Sequence, residues 1–532
     1  MPMMTGGEAL ARSLHREGVR VIFGLPGLQL YHAMDALHEE PGIRFITTRH
    51  EQAAAYMAYG YSRAGGGIGT AMVVPGPGLL NAAAAVGTAY AASCPLLLVS
   101  GQIEREMIGR GRGMLHEVND QLDAIKTVTK WASRVLDPAD VPAAVHEAFV
   151  QLKTGRPRPV EIEIPPETLA QAVETELREP VKGGVLEPRP EAVEEAASVL
   201  AAATDPLIIA GGGAITSGAS APLLRVAEHL QAPVIATAEG KGAVSDRHYL
   251  SLGMPNWKPD SLHKLLERCD VLLAVGTRLA RTKLSPAQRV VQMDVDADVI
   301  GSIHANTTGV LGDCRRSLEE LFGTLSALTP PRPSRRQELE ALKAARYDPS
   351  SQLEPQGSYV RAIRAAMPDD GLLIEGVTQI GYYCRVFYQV YSPGTYVTSS
   401  YFGNLGYAYP TALGAKVAQP GRAVVAVSGD GGFLFNSQEL ATAVKYGINA
   451  VVIVFNDNAF GNVLRDQKTA FGGRTIGVEL HNPDFMKLAE AYGARGVRAH
   501  GAEELEAALR EALAVEAPTL IEVPVSMMPS PF

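Results

Sequence analysis

Short apolar segments alternate with alanine-rich stretches along most of the chain, and this alternation limits the possible folds more than any other feature. Between residues 19 and 165 most of these apolar segments end in glycine or proline. In chain order they are VRVIFGLPG, IRFITT, GTAMVVPGPG, CPLLLVSGQ and PVEIEIP. Runs of this kind are typical of strands buried in a parallel sheet, and the segments between them are long enough for crossover helices. The sequence therefore predicts α/β units built on parallel sheets.

Two charged, proline-containing segments divide this alternation into three blocks. The first is ETELREPVKGGVLEPRPE at 174–191, and the second, TPPRPSRRQE, begins at residue 329. Such compositions are typical of linkers. The length of 532 residues also suggests about three or four domains. We therefore predict three successive α/β domains, over residues 1–173, 192–328 and 357–532. At the start of the first domain, Thr5 and Glu8 have the spacing of a helix-capping box.

Composition and charge narrow the classes of partner and location. There are 48 Lys and Arg residues against 57 Asp and Glu residues, so no broad basic surface for nucleic acid is expected. No apolar run approaches the roughly 18–20 residues of a membrane helix, so no membrane partner is expected either. The four cysteines lie far apart in sequence and form neither a CxxC pair nor a dense disulfide framework, which favours a reducing, cytoplasmic location. They are Cys94, Cys269, Cys314 and Cys384.

The most informative motifs follow two apolar runs of the third block. SGDGG begins at Ser428, and the next apolar run ends in FNDNAFG. One helix and one returning strand fit between Asp430 and Asp457, so both carboxylates are expected at the carboxyl edge of the sheet, where α/β folds bind ligands. Gly429, Gly431 and Gly432 would let the backbone approach a phosphate closely. The sequence thus predicts a site for a phosphate group and a hard divalent cation.

Other cofactor motifs are weak or missing. GGGAITSG, which begins at Gly211, lacks the spacing of a dinucleotide fingerprint, and no clear acidic residue ends the following strand. The sequence contains no GxxxxGK[ST], HExxH or GxSxG motif. Two rival hypotheses are an NAD-dependent dehydrogenase and a catalytically silent nucleotide-binding regulatory protein.

Several segments together resemble the thiamine diphosphate (ThDP) enzymes, whose signature is GDG followed by an asparagine-containing turn. TRHEQAAAYMAYGYSRA at 48–64, PGPGLLNA at 75–82 and FGNLGYAYPTALGAKVA at 402–418 resemble segments of acetohydroxyacid (acetolactate) synthase and its decarboxylase relatives. The resemblance covers essentially the whole chain. It implies a pyrimidine-binding, a central and a diphosphate-binding domain in that order, with ThDP and Mg²⁺ as cofactors.

The resemblance also implies roles for individual residues. Glu51, in the HEQ segment, matches the glutamate that makes the aminopyrimidine of ThDP basic, and it needs an apolar surrounding to share a proton. Asp430, Asp457 and the carbonyl of Ala459 match the Mg²⁺ ligands. The remaining cofactor-binding matches are Thr378 and Gln379 beside the diphosphate, the carbonyl of Gly403 beside the aminopyrimidine, and Leu405, which stands in the place of a methionine that bends the cofactor.

The substrate pocket is where the sequence departs from acetohydroxyacid synthase. Positions facing the reacting carbon match Leu28, Gln29, His116 and Asn462. The synthases have glutamine in the place of His116, which is able to move protons near neutral pH. A tryptophan that shapes their acceptor pocket is replaced near Asp466. Gln29 and His116, with Glu51, are the expected catalytic residues.

The resemblance implies an enzyme that decarboxylates 2-oxo acids and joins the product to an aldehyde or a second oxo acid, as in acetolactate formation. The alternatives within the family are a benzaldehyde-lyase-like carboligase, an oxalyl-CoA decarboxylase and a pyruvate oxidase. Active sites between subunits are expected, in a homodimer or homotetramer. In relatives the central domain holds FAD, ADP, a coenzyme A moiety or nothing, and here GTRLART lacks the acidic pair of the synthases' GARFDDR.

Overall fold

A computed structural model describes residues 2–532 and contains three six-stranded sheets, each with all of its strands parallel. One sheet is formed from each of the three sequence blocks, in chain order. The prediction of successive α/β units with parallel sheets is therefore confirmed. The exact domain boundaries stay predictions.

The first sheet has the spatial order β3-β2-β4-β5-β7-β6, and a separate antiparallel pair joins β1 to β8. The strands are β1 Met3–Thr5, β2 Val21–Gly24, β3 Arg44–Thr47, β4 Gly69–Val73, β5 Leu96–Gly101, β6 Trp131–Arg134, β7 Val160–Ile164 and β8 Ala172–Glu174. The helices are α1 Gly6–Arg16, α2 Tyr31–His38, α3 Glu51–Arg63, α4 Pro77–Ala91, α5 Gln121–Lys126, α6 Val141–Lys153 and α7 Pro166–Ala170. The predicted capping box is present, because the amide of Glu8 donates to Thr5 Oγ1 and the amide of Thr5 donates to Glu8 Oε2.

The central sheet has the order β11-β10-β9-β12-β13-β14. Its strands are β9 Pro206–Ala210, β10 Val234–Ala236, β11 Ser251–Gly253, β12 Val271–Val275, β13 Arg289–Asp294 and β14 Thr307–Leu311. The helices are α8 Pro190–Ala201, α9 Gly212–Thr216, α10 Ser220–Leu230, α11 Ser261–Arg268, α12 Cys314–Leu328 and α13 Arg336–Tyr347. Helix α13 lies where the sequence suggests a linker. It forms because its apolar residues recur at helical spacing and one of them, Leu339, is fully buried in the central core.

The third sheet has the order β16-β15-β17-β18-β20-β19. Its strands are β15 Leu372–Glu375, β16 Tyr396–Val397, β17 Val424–Gly429, β18 Val451–Asn456, β19 Arg495–Arg498 and β20 Thr519–Pro524. The helices are α14 Gln356–Ala366, α15 Gln379–Phe387, α16 Ala408–Ala418, α17 Asp430–Leu434, α18 Glu439–Tyr446, α19 Gly461–Ala470, α20 Phe485–Tyr492 and α21 Ala502–Ala514. Strands β17 and β18 are neighbours, with Gly429 opposite Phe455. The SGDGG and FNDN turns therefore lie at the same edge of this sheet.

The first and third domains share one hydrophobic core through helices α3 and α16. The two helices cross so closely that a Cβ atom on Gly60 would lie 1.9 Å from the carbonyl oxygen of Thr411, and one on Gly414 would lie 1.9 Å from that of Met57. Only glycine fits at such a crossing. This packing fixes the N-terminus of α3, where Glu51 lies, relative to the third domain of the same chain. Within residues 2–532, no helix is both long and apolar enough to cross a membrane.

Glu439 adds a buried polar contact to this domain interface. Its side chain is fully buried, and its carboxylate accepts hydrogen bonds from the amide of Arg49, at 3.0 and 3.2 Å, and from the hydroxyl of Thr442. Burial raises the pKa of the Glu439 carboxyl to about 7, although the hydrogen bonds from Thr442 and Arg49 oppose this shift. The folded protein therefore holds a proton on Glu439 at pH values where the unfolded chain has lost it.

This raised pKa makes folding stability depend on pH in a predictable direction. Between the ordinary glutamate pKa and about 7 the folded state binds more protons than the unfolded state, so the Glu439 contribution to stability falls as pH rises. The slope is at most about 1.4 kcal/mol per pH unit. We expect Glu439→Gln to remove this component, and thermal unfolding of both proteins from pH 5 to pH 8 measures it. The exposed substitution Glu503→Gln is the control, and parallel pH profiles for wild type and Glu439→Gln would contradict the prediction.

Candidate cofactor site

Asp430 is the first residue after strand β17 and begins helix α17. Its side chain is nearly fully buried, and Asn482 Nδ2 donates a hydrogen bond to Asp430 Oδ2 at 2.6 Å. Burial raises the pKa of the Asp430 carboxyl, whereas the hydrogen bond from Asn482 and those from backbone amides lower it. The carboxylate is thus held in place from one side by an amide donor.

Asp457 follows strand β18 and lines the same cavity as Asp430. Gln379 Nε2 donates to Asp457 Oδ2 at 3.1 Å. Burial, and next the negative charge of Asp430, raise the pKa of the Asp457 carboxyl to about 6. Two carboxylates that repel each other in a partly buried site are arranged as they would be around a cation, because a divalent ion removes the repulsion.

Glycines leave the turns around these carboxylates free of side-chain bulk. A Cβ atom on Gly431 would lie 2.7 Å from the ring of Phe460, and one on Gly429 would lie 3.1 Å from Thr378 Oγ1. At Gly461 a Cβ would overlap the carboxylate of Asp457, at 1.9 Å from Oδ2. The sequence therefore places glycine where the site has room for backbone alone, as a phosphate-binding turn requires.

These residues surround a cavity of about 130 Å³ at the carboxyl edge of the third sheet. The predicted site residues that line it are Thr378, Gln379, Leu405, Gly429, Asp430, Gly431, Gly432, Asp457, Ala459 and Asn462. Residues separated by up to 84 positions in sequence are thus brought together, from Thr378 to Asn462. Gly403, with a φ of +64°, lies in the loop before Leu405 and does not line the cavity.

The donor set fits Mg²⁺ and a diphosphate group. Mg²⁺ binds oxygen ligands, and it is commonly held by one or two carboxylates together with phosphate oxygens. Asp430, Asp457 and the carbonyl of Ala459 offer oxygen donors of this kind. Among residues 2–532 there is no group of three Asp, Glu, His or Cys side chains able to hold a metal, so a carbonyl and the phosphates would have to complete this set. The buried Oδ1 of Asn482 also has no hydrogen-bond partner within the described chain.

Glu51 lies at the N-terminus of helix α3, and His50 caps that helix by accepting a hydrogen bond from the amide of Gln52. Asn81 Nδ2 donates to Glu51 Oε2 at 3.0 Å. The side chain of Glu51 is partly exposed, so the described part of a single chain does not supply the apolar surrounding that its expected role needs. Glu51 does not line the cavity at the third sheet.

The structure brings together two of the predicted substrate residues in the first domain. His116 Nδ1 lies 3.1 Å from Gln29 Oε1, and Gln29 Nε2 donates to the carbonyl of Leu115 at 3.2 Å. His116 has a φ of +71°, and its carbonyl lies 2.3 Å from where a Cβ atom on Gly76 would stand. A strained turn thus presents His116 beside Gln29. Leu28 is exposed next to them.

Some residues around the site carry no recognisable motif. Asn482 reaches Asp430 from a loop before helix α20, and Gln121 accepts a hydrogen bond from the amide of Gly76 at 2.8 Å. Arg465, on helix α19, donates to Asn462 Oδ1 and to Gln379 Oε1. The only sequence signal for Arg465 is its position three residues after Asn462, one turn along the same helix.

The carboxyl edge of the central sheet is held against the first domain by ion pairs. Arg156 bonds to Asp294 at 3.0 Å, and Arg63 bonds to Glu239 at 2.9 Å. Gly213 lies close enough to Gly276 that a Cβ on either residue would overlap the other's backbone. The binding of FAD or ADP at this edge stays a prediction.

Comparisons with known proteins agree with this geometry. Family models described as thiamine pyrophosphate enzyme match in three parts: the N-terminal TPP binding domain over residues 4–124, the central domain over 193–321 and the C-terminal TPP binding domain over 376–523. Thiamine pyrophosphate (TPP) is another name for ThDP.

Individual relatives match nearly the whole chain. A probable acetolactate synthase large subunit of Methanocaldococcus jannaschii is 33% identical, covering 98% of this chain and 92% of its own length. A probable 2-ketoarginine decarboxylase of Pseudomonas aeruginosa is 34% identical, covering 98% and 94%. The acetolactate synthase isozyme 3 large subunit of Escherichia coli is 32% identical, covering 96% and 93%.

Proposed function

The chain belongs to the thiamine pyrophosphate enzyme family as an acetolactate synthase-like, ThDP-dependent enzyme, and we propose that it is a decarboxylase and carboligase of 2-oxo acids that also requires Mg²⁺. The observation that carries this proposal is the cavity at the third sheet, where two carboxylates and a glycine turn meet. A hard cation and a diphosphate satisfy both features together.

Different residues around the cavity would hold different parts of the cofactor. Asp430, Asp457 and the Ala459 carbonyl would hold Mg²⁺, and the glycine turn with Thr378 and Gln379 would hold the diphosphate. ThDP, when bound, supplies an electron sink for breaking or making a carbon–carbon bond beside a carbonyl group. Glu51 would hold a proton at the pyrimidine nitrogen. The side chain of Leu405, which lines the cavity, would contact the cofactor.

The position of Glu51 outside the cavity supports an active site shared between subunits. The first domain exposes Leu28 and Leu115 beside the His116 turn, and the third domain exposes Phe435 and Val463 near the cavity. An interface between subunits would cover these exposed apolar side chains. We propose a homodimer or homotetramer in which Glu51 of one subunit faces the cavity of another. A cytoplasmic location stays a prediction.

The relatives include both synthases and a decarboxylase at similar identity, so identity alone does not choose between the two reactions. One observation favours a second candidate, decarboxylation without carboligation. Asp466, which stands near the place of the tryptophan that shapes the acceptor pocket in synthases, is 62% exposed. A charged aspartate offers no apolar wall for an acceptor. A benzaldehyde-lyase-like carboligase, an oxalyl-CoA decarboxylase and a pyruvate oxidase would each use the same cofactor and give different products.

Incubation with a panel of 2-oxo acids tests the proposal. The purified protein is supplied with ThDP and Mg²⁺, with and without aldehydes, and products are identified by mass spectrometry. We expect ThDP-dependent release of carbon dioxide from at least one oxo acid, and the coupled products separate carboligation from simple decarboxylation. A panel with no ThDP-dependent product would refute the proposal, and an absorbance change with nicotinamide cofactors would favour the dehydrogenase.

His116 and Gln29 are expected to control the fate of the reacting group more than the decarboxylation step. Each contributes one hydrogen-bonding group, and losing one such bond, worth about 1 kcal/mol, changes the product ratio about fivefold. We therefore expect His116→Ala and Gln29→Ala to shift the ratio of released to ligated product by about that factor. Product analysis measures it, with His38→Ala at an exposed site as the control. Identical ratios and turnover in all variants would exclude this role.

A further inference from the structure

Arg465 is a nearly fully buried cation directly behind the cofactor cavity. It lies on helix α19 and is only 4% exposed. Its Nη1 donates to Gln379 Oε1 at 3.0 Å and to the carbonyl of Met528 at 3.4 Å, and its Nη2 donates to Asn462 Oδ1. All three acceptors belong to residues that line the cavity.

The charge of Arg465 is poorly neutralised within the chain. Among residues 2–532 the one carboxylate within ion-pair distance is Asp466, whose Oδ1 lies 3.5 Å from Nε and whose side chain is 62% exposed. An ion pair with an exposed partner is screened by water and stabilises little. The Nε atom itself has no hydrogen bond within the described chain. A guanidinium taken out of water without a buried carboxylate is costly, so an anion is expected nearby in the working protein.

The contact between Arg465 and Gln379 sets which way the Gln379 amide points. An amide has an oxygen that accepts and a nitrogen that donates. Because Arg465 engages Oε1, Nε2 is directed to Asp457 Oδ2 at 3.1 Å. The reversed amide would place an oxygen against the carboxylate. The arrangement is tight, since a Cβ atom on Gly461 would lie 2.7 Å from Gln379 Nε2.

We propose that Arg465 is a positioning residue for the cofactor: it orients Gln379 towards Asp457, fixes Asn462, and places a positive charge behind a site that must hold a diphosphate beside two carboxylates. This inference rests on the proposed function. The diphosphate would supply the anion that the chain does not, because a buried positive charge attracts a polyanion most where water is excluded.

Calorimetric titration of ThDP into the apoprotein at saturating Mg²⁺, without substrate, tests the inference. We expect Arg465→Met to weaken ThDP binding by about 10- to 100-fold, the usual cost of losing an outer hydrogen-bonding partner of a metal site. Arg465→Lys should recover part of the affinity, since it keeps the charge but loses the planar fork. The control is Arg474→Met at an exposed arginine. A folded Arg465→Met protein with wild-type affinity would overturn the inference.

A double-mutant cycle separates positioning from a general effect on folding. If Arg465 acts through Gln379, its substitution should cost less affinity in a Gln379→Met background, whereas independent losses would add. In turnover assays Arg465→Met should raise the ThDP concentration for half-maximal rate more than it lowers the rate at saturating ThDP. Additive losses in the cycle, or equal effects on both kinetic parameters, would contradict positioning.

If Arg465→Met does not fold, Arg465→Lys carries the test. It is expected to bind ThDP more weakly than the wild type, and wild-type affinity in Arg465→Lys would overturn the inference. Because these titrations need no turnover, a protein that binds ThDP but acts on no 2-oxo acid would refute the proposed function alone.

Discussion

Replacing Glu51 with glutamine is expected to slow hydrogen–deuterium exchange at the acidic thiazolium carbon of bound ThDP by about 100- to 10,000-fold, the range of a general acid–base contribution. A carboxylate at the pyrimidine nitrogen shares a proton with it, whereas an amide does not. Glutamine keeps the size of the side chain, and Asn81 still finds an oxygen to donate to. The fold and most of the ThDP affinity should therefore persist.

Quenched-exchange NMR on the ThDP-loaded protein measures this rate directly. The control is Glu39→Gln, because Glu39 is an exposed glutamate of the same domain. Exchange at the wild-type rate in the Glu51→Gln protein, with cofactor binding intact, would remove Glu51 from the mechanism. An equal loss of exchange and of ThDP binding would instead assign Glu51 to binding alone.

The fold was predictable because parallel strands buried on both faces leave a strong local signal. Segments such as VVAVSG in β17 and VVIVFN in β18 are apolar up to their last one or two residues and end at turns. The sequence therefore predicts where each strand runs and that the two turns lie at the same edge of the sheet. Helix α13 is hard to predict because the prolines and charges before it resemble a linker, while its burial depends mainly on the distant central core. Tertiary packing, and not the local composition, therefore determines that this segment is helical.

The candidate site was predictable where its residues follow strands in recognisable turns, as Asp430 and Asp457 do. Neither Asn482 nor Arg465 lies in a recognisable sequence motif. Asn482 meets Asp430 across 52 residues, and Arg465 meets Gln379 across 86, so only the folded chain brings them together. The surrounding of Glu51 is a different case: its side chain is partly exposed in one chain, and in the proposed homodimer or homotetramer a second subunit would supply the apolar contacts.

The other large effect is expected from replacing Asp430, one of the two carboxylates that line the cavity. Asp430→Ala should weaken Mg²⁺-dependent ThDP binding by more than about 100-fold, because even an outer partner of a metal ligand contributes about 10- to 100-fold. Asp430 is the better buried of the two carboxylates and is held by Asn482, and the carboxylate beside it, Asp457, is already counted as a ligand in its own place. Titrations of ThDP with and without Mg²⁺ measure this dependence.

Asp457→Asn should behave differently from Asp430→Ala, because asparagine keeps an oxygen that is able to bind a cation and is common at this position in the resembled family. In the wild type, burial and then the charge of Asp430 raise the pKa of Asp457. Asparagine at position 457 carries no charge, so it repels neither Asp430 nor the diphosphate. ThDP should then bind better without metal and gain less from Mg²⁺, so the coupling between the two ligands falls. Asp35→Asn, at an exposed aspartate on helix α2, is the control. If Asp457→Asn shows the wild-type metal dependence, Asp457 does not touch the ion, and Asn456 or Asn458 in the same turn would be the ligand to test next.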